Sequence, residues 1–199
     1  VRWAAGISAA GIVTAALYGV FTHSSGSNAA GGFQVGSPGP GQRAPGFTLD
    51  ASTGRPISLG DYTGKTVLLY FQEGLTCQPC WDQIADLETD AAAVHAAGID
   101  QILSITTDPV GLITRKTHDE HLSTPVLSDP DLAVSRAYEA NSYGMMGTSR
   151  DGHSFVLVGP DGVIRWRRDY GGAPKYTMYV PPAALLADLA HGQRPAGAA

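Results

Sequence analysis

The feature that most limits what this 199-residue chain can fold into is the run at 66–80, TVLLYFQEGLTCQPC. Residues 66–71 form an unbroken β-prone stretch, the pattern of a central strand buried on both faces, so other elements must cover it above and below. The chain's two cysteines, Cys77 and Cys80, follow after a short loop and open a helical pattern. Two cysteines are too few for a disulfide-dense scaffold or an all-cysteine zinc site.

The remaining signals alternate between strand and helix. Residues 47–50 and 56–59 around a Ser-Thr-Gly turn read as a small hairpin. Ile84, Leu87 and Ala91 repeat at helical spacing up to a stop at Gly98, and QILSIT at 101–106 reads as a second buried strand. Asp108-Pro109 has the form of an N-cap followed by proline at the first helical position, opening a helix towards His118. A short strand at 125–127, a helix at 131–138, a strand at 154–158 and its partner at 163–169 across Gly-Pro-Asp-Gly come next. Pro181-Pro182 start a last helix, 183–191. The expectation is an α/β sandwich with a mixed central sheet.

Both thiols then stand at the opening turn of a helix, where unpaired backbone N–H groups and the positive end of the helix dipole favour a thiolate. The i, i+3 spacing brings the second sulfur within reach of the first, so a mixed disulfide formed at one cysteine can be resolved by the other. Cys77, nearer the exposed end, is the expected attacking thiol and Cys80 the more buried resolving one. Pro79 fits a first turn that has no use for its missing N–H. Thr76, directly before Cys77, and Glu73, close enough in sequence to move protons or cap the loop, complete the candidate catalytic set.

The appendages carry a different composition. Residues 3–21 are uncharged and mostly apolar, long enough as a helix to cross a bilayer core of about 30 Å. Residues 1–22 are therefore expected to be a transmembrane anchor, with a cleaved signal segment as the alternative. Arg2, the only early charge, places the N-terminus in the cytoplasm and the rest outside. Residues 23–43, rich in Gly, Ser and Pro, read as a flexible linker, 44–191 as the folded domain and 192–199 as a tail. A formal net charge of −5 offers no basic field for a nucleic-acid backbone.

The segments APGFTLD, PISLGDYTGK, VLLYFQEGLTCQPC and HSFVLVGPDGVIRW, with the terminal helix, resemble the thioredoxin-fold superfamily over about 43–191. The likeness is to its redoxin branch, AhpC/TSA-type peroxiredoxins and membrane-tethered thioredoxin-like oxidoreductases. It implies a thioredoxin-like sandwich and a thiol-disulfide oxidoreductase, or alternatively a thiol peroxidase. The substrate would be an oxidised protein or small-molecule disulfide, or a hydroperoxide, and a membrane or exported dithiol would be the reductant. No cofactor is implied. Cys-Gln-Pro-Cys resembles the thioredoxin redox motif, with Pro79 at its proline. The chain departs from the redoxin pattern in several places. The loop 72–76 is one residue longer, and Thr76 replaces a tryptophan. A peroxidatic cysteine would correspond to Cys80, with Cys77 where a threonine stands three residues earlier and Glu73 nearest an upstream proline. Arg150 lies near the position of a peroxidatic arginine, and Gly152 or His153 takes the place of a cis-proline.

His153, ahead of an apolar strand and Gly-Pro-Asp-Gly, is also similar to the histidine of Sco-type copper chaperones. That resemblance implies an alternative copper site of Cys77, Cys80 and His153, since two thiolates and an imidazole suit copper. A further possibility is that His153 orients or protonates the attacking sulfur. His118 and His121 read as a solvated helix end, Met145 and Met146 as loop packing, and Trp166, Tyr170, Tyr176 and Tyr179 as core or edge packing.

Overall fold

A computed structural model of the chain describes residues 33–193. The expected anchor, 1–22, lies outside the described residues. Among the described residues no helix is long and apolar enough to cross a membrane.

The unbroken apolar run becomes β3 (Val67–Phe71), fully buried as anticipated. Its alternation divides the core. Leu68 and Tyr70 point to one face, where they meet Trp81, Ile84, Leu87, Ile113, Leu185 and Leu189. Val67, Leu69 and Phe71 point to the other, where they meet Leu103, Ile105, Leu127, Val134 and Tyr138.

Around β3 stand β1 (Thr48–Ala51), β2 (Ile57–Ser58), β4 (Gln101–Thr106), β5 (Val126–Ser128), β6 (Ser154–Val158) and β7 (Ile164–Asp169). They form one sheet in the order β2-β1-β5-β4-β3-β6-β7. β3, β4 and β5 are parallel, whereas β1 pairs antiparallel with β5, β6 antiparallel with β3 and β7 antiparallel with β6, which makes the sheet mixed. The helices are α1 (Gln78–Thr89), α2 (Ala91–Ala96), α3 (Val110–Asp119), α4 (Ala133–Ala137) and α5 (Pro182–Gly192). Side chains of α1, α2, α3 and α5 cover the Leu68/Tyr70 face, and those of the short α4, with β1 and β2, cover the other.

Three local expectations change. The helix expected to continue to Gly98 breaks at Asp90, whose N–H closes α1 on the Asp86 carbonyl while its own carbonyl starts α2 through Ala93 and Val94. Asp108 does not cap α3. Pro109 holds the N-cap position, and the Asp108 side chain turns inward instead. The segment expected as linker enters the described residues at Phe33 and from there is bonded along β7. Gln34 pairs with Asp169 in both directions at 2.9 and 2.8 Å, Gly41 donates to the Ile164 carbonyl at 2.8 Å, and Ile164 donates to the Gln42 carbonyl at 2.9 Å. Gly36 N–H also reaches Asp169 Oδ2 at 2.7 Å, and Arg167 Nη1 reaches the Pro38 carbonyl at 3.1 Å. This strap covers the outer edge of β7 and completes the partners of a buried Arg167–Asp169 ion pair. Glycine and proline did not make it free, because most of its ties use backbone groups.

Candidate active site

The site is built where β3 ends. The backbone leaves the sheet at Gln72, whose N–H still pairs with the Ile105 carbonyl, and re-enters regular structure at Cys77, the N-cap of α1. Cys77 and Cys80 are joined in a disulfide with Cα atoms 5.4 Å apart. Cys80 has no exposed surface and Cys77 keeps 7%. Pro79 lies within the first two residues of the helix, where no intrahelical donor is required of it, and is exposed together with Thr76 and Gln78. No acidic side chain sits in the first turn to oppose the positive end of the helix dipole.

The loop between β3 and α1 is clamped from three sides. Gly74, at φ +94°, gives its carbonyl to the Trp81 indole N–H at 3.0 Å and to the Cys77 N–H at 3.0 Å. A Cβ at Gly74 would collide with Asp108 Oδ2 and Thr106 Oγ1, so glycine is required for the approach as well as for the backbone angle. Leu75 N–H donates to Asp108 Oδ2 at 2.7 Å. Arg150 Nη1 bonds both Asp108 Oδ1 at 3.0 Å and the Glu73 carbonyl at 2.8 Å. The Glu73 carboxylate, almost fully buried, accepts Met145 N–H at 3.2 Å. At the outer end, Gln78 bonds Asp82 and Glu120 and accepts from Lys116 at 2.8 Å, which ties the first turn of α1 to α3.

Beneath the pair lies a second network. The Tyr70 hydroxyl donates to the Cys80 carbonyl at 3.3 Å and lies 2.9 Å from His153 Nδ1. The hydroxyl thus links the imidazole to the backbone of the second cysteine, and which of Tyr70 and His153 donates in the shorter contact follows from the ring's tautomer. His153 Nε2 is buried without a partner, and burial pushes the ring's pKa down to about 3, so it is neutral at ordinary pH. Tyr70 stacks on Phe155 at 4.5 Å, and His153 packs edge-on against both rings.

Cys77, Cys80, Pro79, Thr76 and Glu73 therefore share one loop and helix start. Among the described residues no three or more His, Cys, Asp or Glu side chains are grouped so as to hold a metal ion. His118 contacts Asp119 at the exposed end of α3. Met145 and Met146 do not pack; they stand 56% and 53% exposed, while Trp166 and Tyr170 join the core. Sequence reasoning missed Asp108, whose Asp-Pro context read as a cap, and Tyr70, which read as core alone.

The Cys77–Cys80 disulfide at the amino-terminal end of the helix after the central strand of such a sheet is the candidate thiol site of a thioredoxin-like fold. The AhpC/TSA family pattern matches residues 40–167, and the chain belongs to the AhpC/TSA family. It is 33% identical over 130 residues to the Mycobacterium tuberculosis H37Rv protein Rv2521, covering 63% of this chain and 81% of that one. It is 31% identical over 127 residues to peroxiredoxin Bcp of Escherichia coli K12, covering 62% and 81%. Among solved structures, peroxidoxin BcpB from Mycobacterium tuberculosis superposes with a TM-score of 0.64 at 18% identity over 77% of this chain and 97% of that one.

Proposed function

We propose that this chain is a thiol-disulfide oxidoreductase in which the reduced Cys77/Cys80 pair passes two electrons to an oxidised substrate and closes into the disulfide of the structure. The observation that carries the reading is the asymmetry of the pair. Both sulfurs belong to the start of α1, Cys77 keeps a little surface, and Cys80 has none. The Cys77 thiolate attacks a substrate disulfide, whose S–S bond breaks. One substrate sulfur leaves as thiolate, and the other stays bonded to Cys77. The Cys80 thiolate then attacks Cys77 Sγ, expels the second substrate thiolate and completes the intramolecular bond. Two thiols are oxidised, one disulfide is reduced, and the protons finish on the released thiols. A dithiol partner reverses the sequence by attacking at Cys77, so no cofactor is needed. The first-turn amides of α1 stabilise each thiolate as it forms. Asp108, Arg150 and Gly74 hold the loop that delivers Cys77.

Thiol peroxidase action at the same pair is the second reading, favoured by Arg150 at the redox loop and by the peroxiredoxin name of the Escherichia coli relative. Here the Cys80 thiolate takes the terminal oxygen of a hydroperoxide, water or an alcohol leaves, and the sulfenic acid condenses with the Cys77 thiol to give the disulfide and water. The fully reduced chain, followed by Trp81 fluorescence, separates the two. Oxidation by a small-molecule disulfide far faster than that of free cysteine, with a peroxide rate no better than free cysteine, supports disulfide exchange; the opposite pattern supports the peroxidase. We also propose that residues 1–22 tether the domain to a membrane on its outer side, on the strength of the apolar run and Arg2. Carbonate-resistant membrane association is the expected outcome, and full release into the wash would refute it.

A further inference from the structure

Two buried carboxyl groups meet across one hydroxyl on the side of the molecule that supplies Arg150. Asp129, just after β5, accepts the amides of Val134 and Ser135 at 3.2 and 2.7 Å and the Ser135 hydroxyl at 2.6 Å. The same Ser135 Oγ lies 3.0 Å from Asp151 Oδ2, and Asp151 Oδ1 is buried with no partner. Both aspartates have no exposed surface. A serine hydroxyl owns one hydrogen. The shorter contact assigns it to Asp129, which leaves an oxygen lone pair of Ser135 facing Asp151. That contact becomes a bond only when Asp151 carries a proton of its own.

We propose that Asp151 is held as a neutral carboxylic acid that donates to Ser135 Oγ, and that this bond seats residues 150–153 so that Arg150 can clamp the redox loop. The functional part of this rests on the redox reading above. Asp151 acts through Arg150 and is a positioning residue. The groups around it agree. From the turn after β5 it faces Asp129, and from α4 it faces Ser135. In its own segment the Arg150 guanidinium is turned to Asp108 and the Glu73 carbonyl, and His153 is neutral and occupied by Tyr70. Burial pushes the Asp151 pKa well above the carboxylate range, the charge of Asp129 adds to this, and the Ser135 contact opposes it. The folded state therefore holds a proton that the unfolded chain releases above about pH 4, and stability falls as pH rises from there until the folded group itself ionises.

The test compares the full chain in its disulfide form with Asp151→Asn, whose amide can make the same donation but never ionises. Denaturant unfolding is measured from pH 5 to pH 8. The expected ratio of wild-type to variant unfolding constants grows with pH, by up to about tenfold per unit, for as long as the folded group keeps its proton. A ratio that stays flat means that Asp151 is ionised in the fold and overturns the proposal. If Asp151→Asn does not fold, infrared spectra of the wild type at pH 7 decide the matter. A protonated-carboxyl band that shifts in Ser135→Ala supports the assignment, and the absence of such a band refutes it. None of these measurements needs turnover. A chain without disulfide exchange would remove the redox reading and leave the protonated acid standing, whereas a flat ratio would remove only the latter.

Discussion

At the scale of single residues, the site depends on Gly74, Asp108 and His153 as much as on the cysteines. Gly74→Ala places a methyl group against Asp108 and Thr106 in a left-handed backbone, and the expected cost is about 1–3 kcal/mol in denaturant unfolding. Asp108→Ala leaves the Leu75 amide and Arg150 without their carboxylate, with an expected loss of about 2–3 kcal/mol and a slower Cys77 exchange. His153 adds an acid limit. Its folded pKa is pushed down to about 3 while the unfolded imidazole titrates near 6.5, so protons favour the unfolded chain as pH falls between those values. Relative to His153→Gln, the wild-type unfolding constant should rise by up to about tenfold per pH unit over that window; parallel pH curves would mean that the ring is protonated in the fold. The pairing of Cys77 with Cys80 and the place of Pro79 in the first turn of α1 were legible from the i, i+3 spacing after a buried strand. Asp108 was not, because an Asp-Pro pair satisfies the rule for a helix cap and nothing local shows that the carboxylate turns towards a loop 33 residues away.

Among elements, the junction of β3 and α1 is where packing and chemistry meet. Trp81, fully buried on the sheet-facing side of α1, also donates to the Gly74 carbonyl. Trp81→Ala should cost about 3–5 kcal/mol from lost burial and the cavity left behind. Trp81→Phe keeps most of the burial but not the indole N–H, and if the hydrogen bond sets the loop it should change Cys77 exchange more than its smaller stability loss suggests. The strands were readable because an unbroken apolar run and a period-two alternation both survive into the fold. The break at Asp90 was not, since Ala91 and Val94 continue the helical apolar spacing and the change lies in how one backbone carbonyl is shared.

For the molecule as a whole, the strap from Phe33 to Arg43 changes where the folded unit begins. Composition placed that boundary at residue 44, whereas the strap covers β7 and supplies the last partners of the Arg167–Asp169 pair. A chain starting at 44 should unfold at lower denaturant than one starting at 33, and equal midpoints would show that the strap contributes nothing to stability. The central claim, that Cys77 is the exchanging sulfur of a redox-active pair, is tested most directly by trapping. Full-length Cys80→Ser and Cys77→Ser are reduced, exposed to oxidised glutathione, and mapped by mass spectrometry. The expected result is a stable glutathione adduct on Cys77 in Cys80→Ser and little or none on Cys80 in Cys77→Ser. An adduct confined to Cys80, or no adduct on either cysteine, would contradict the assignment.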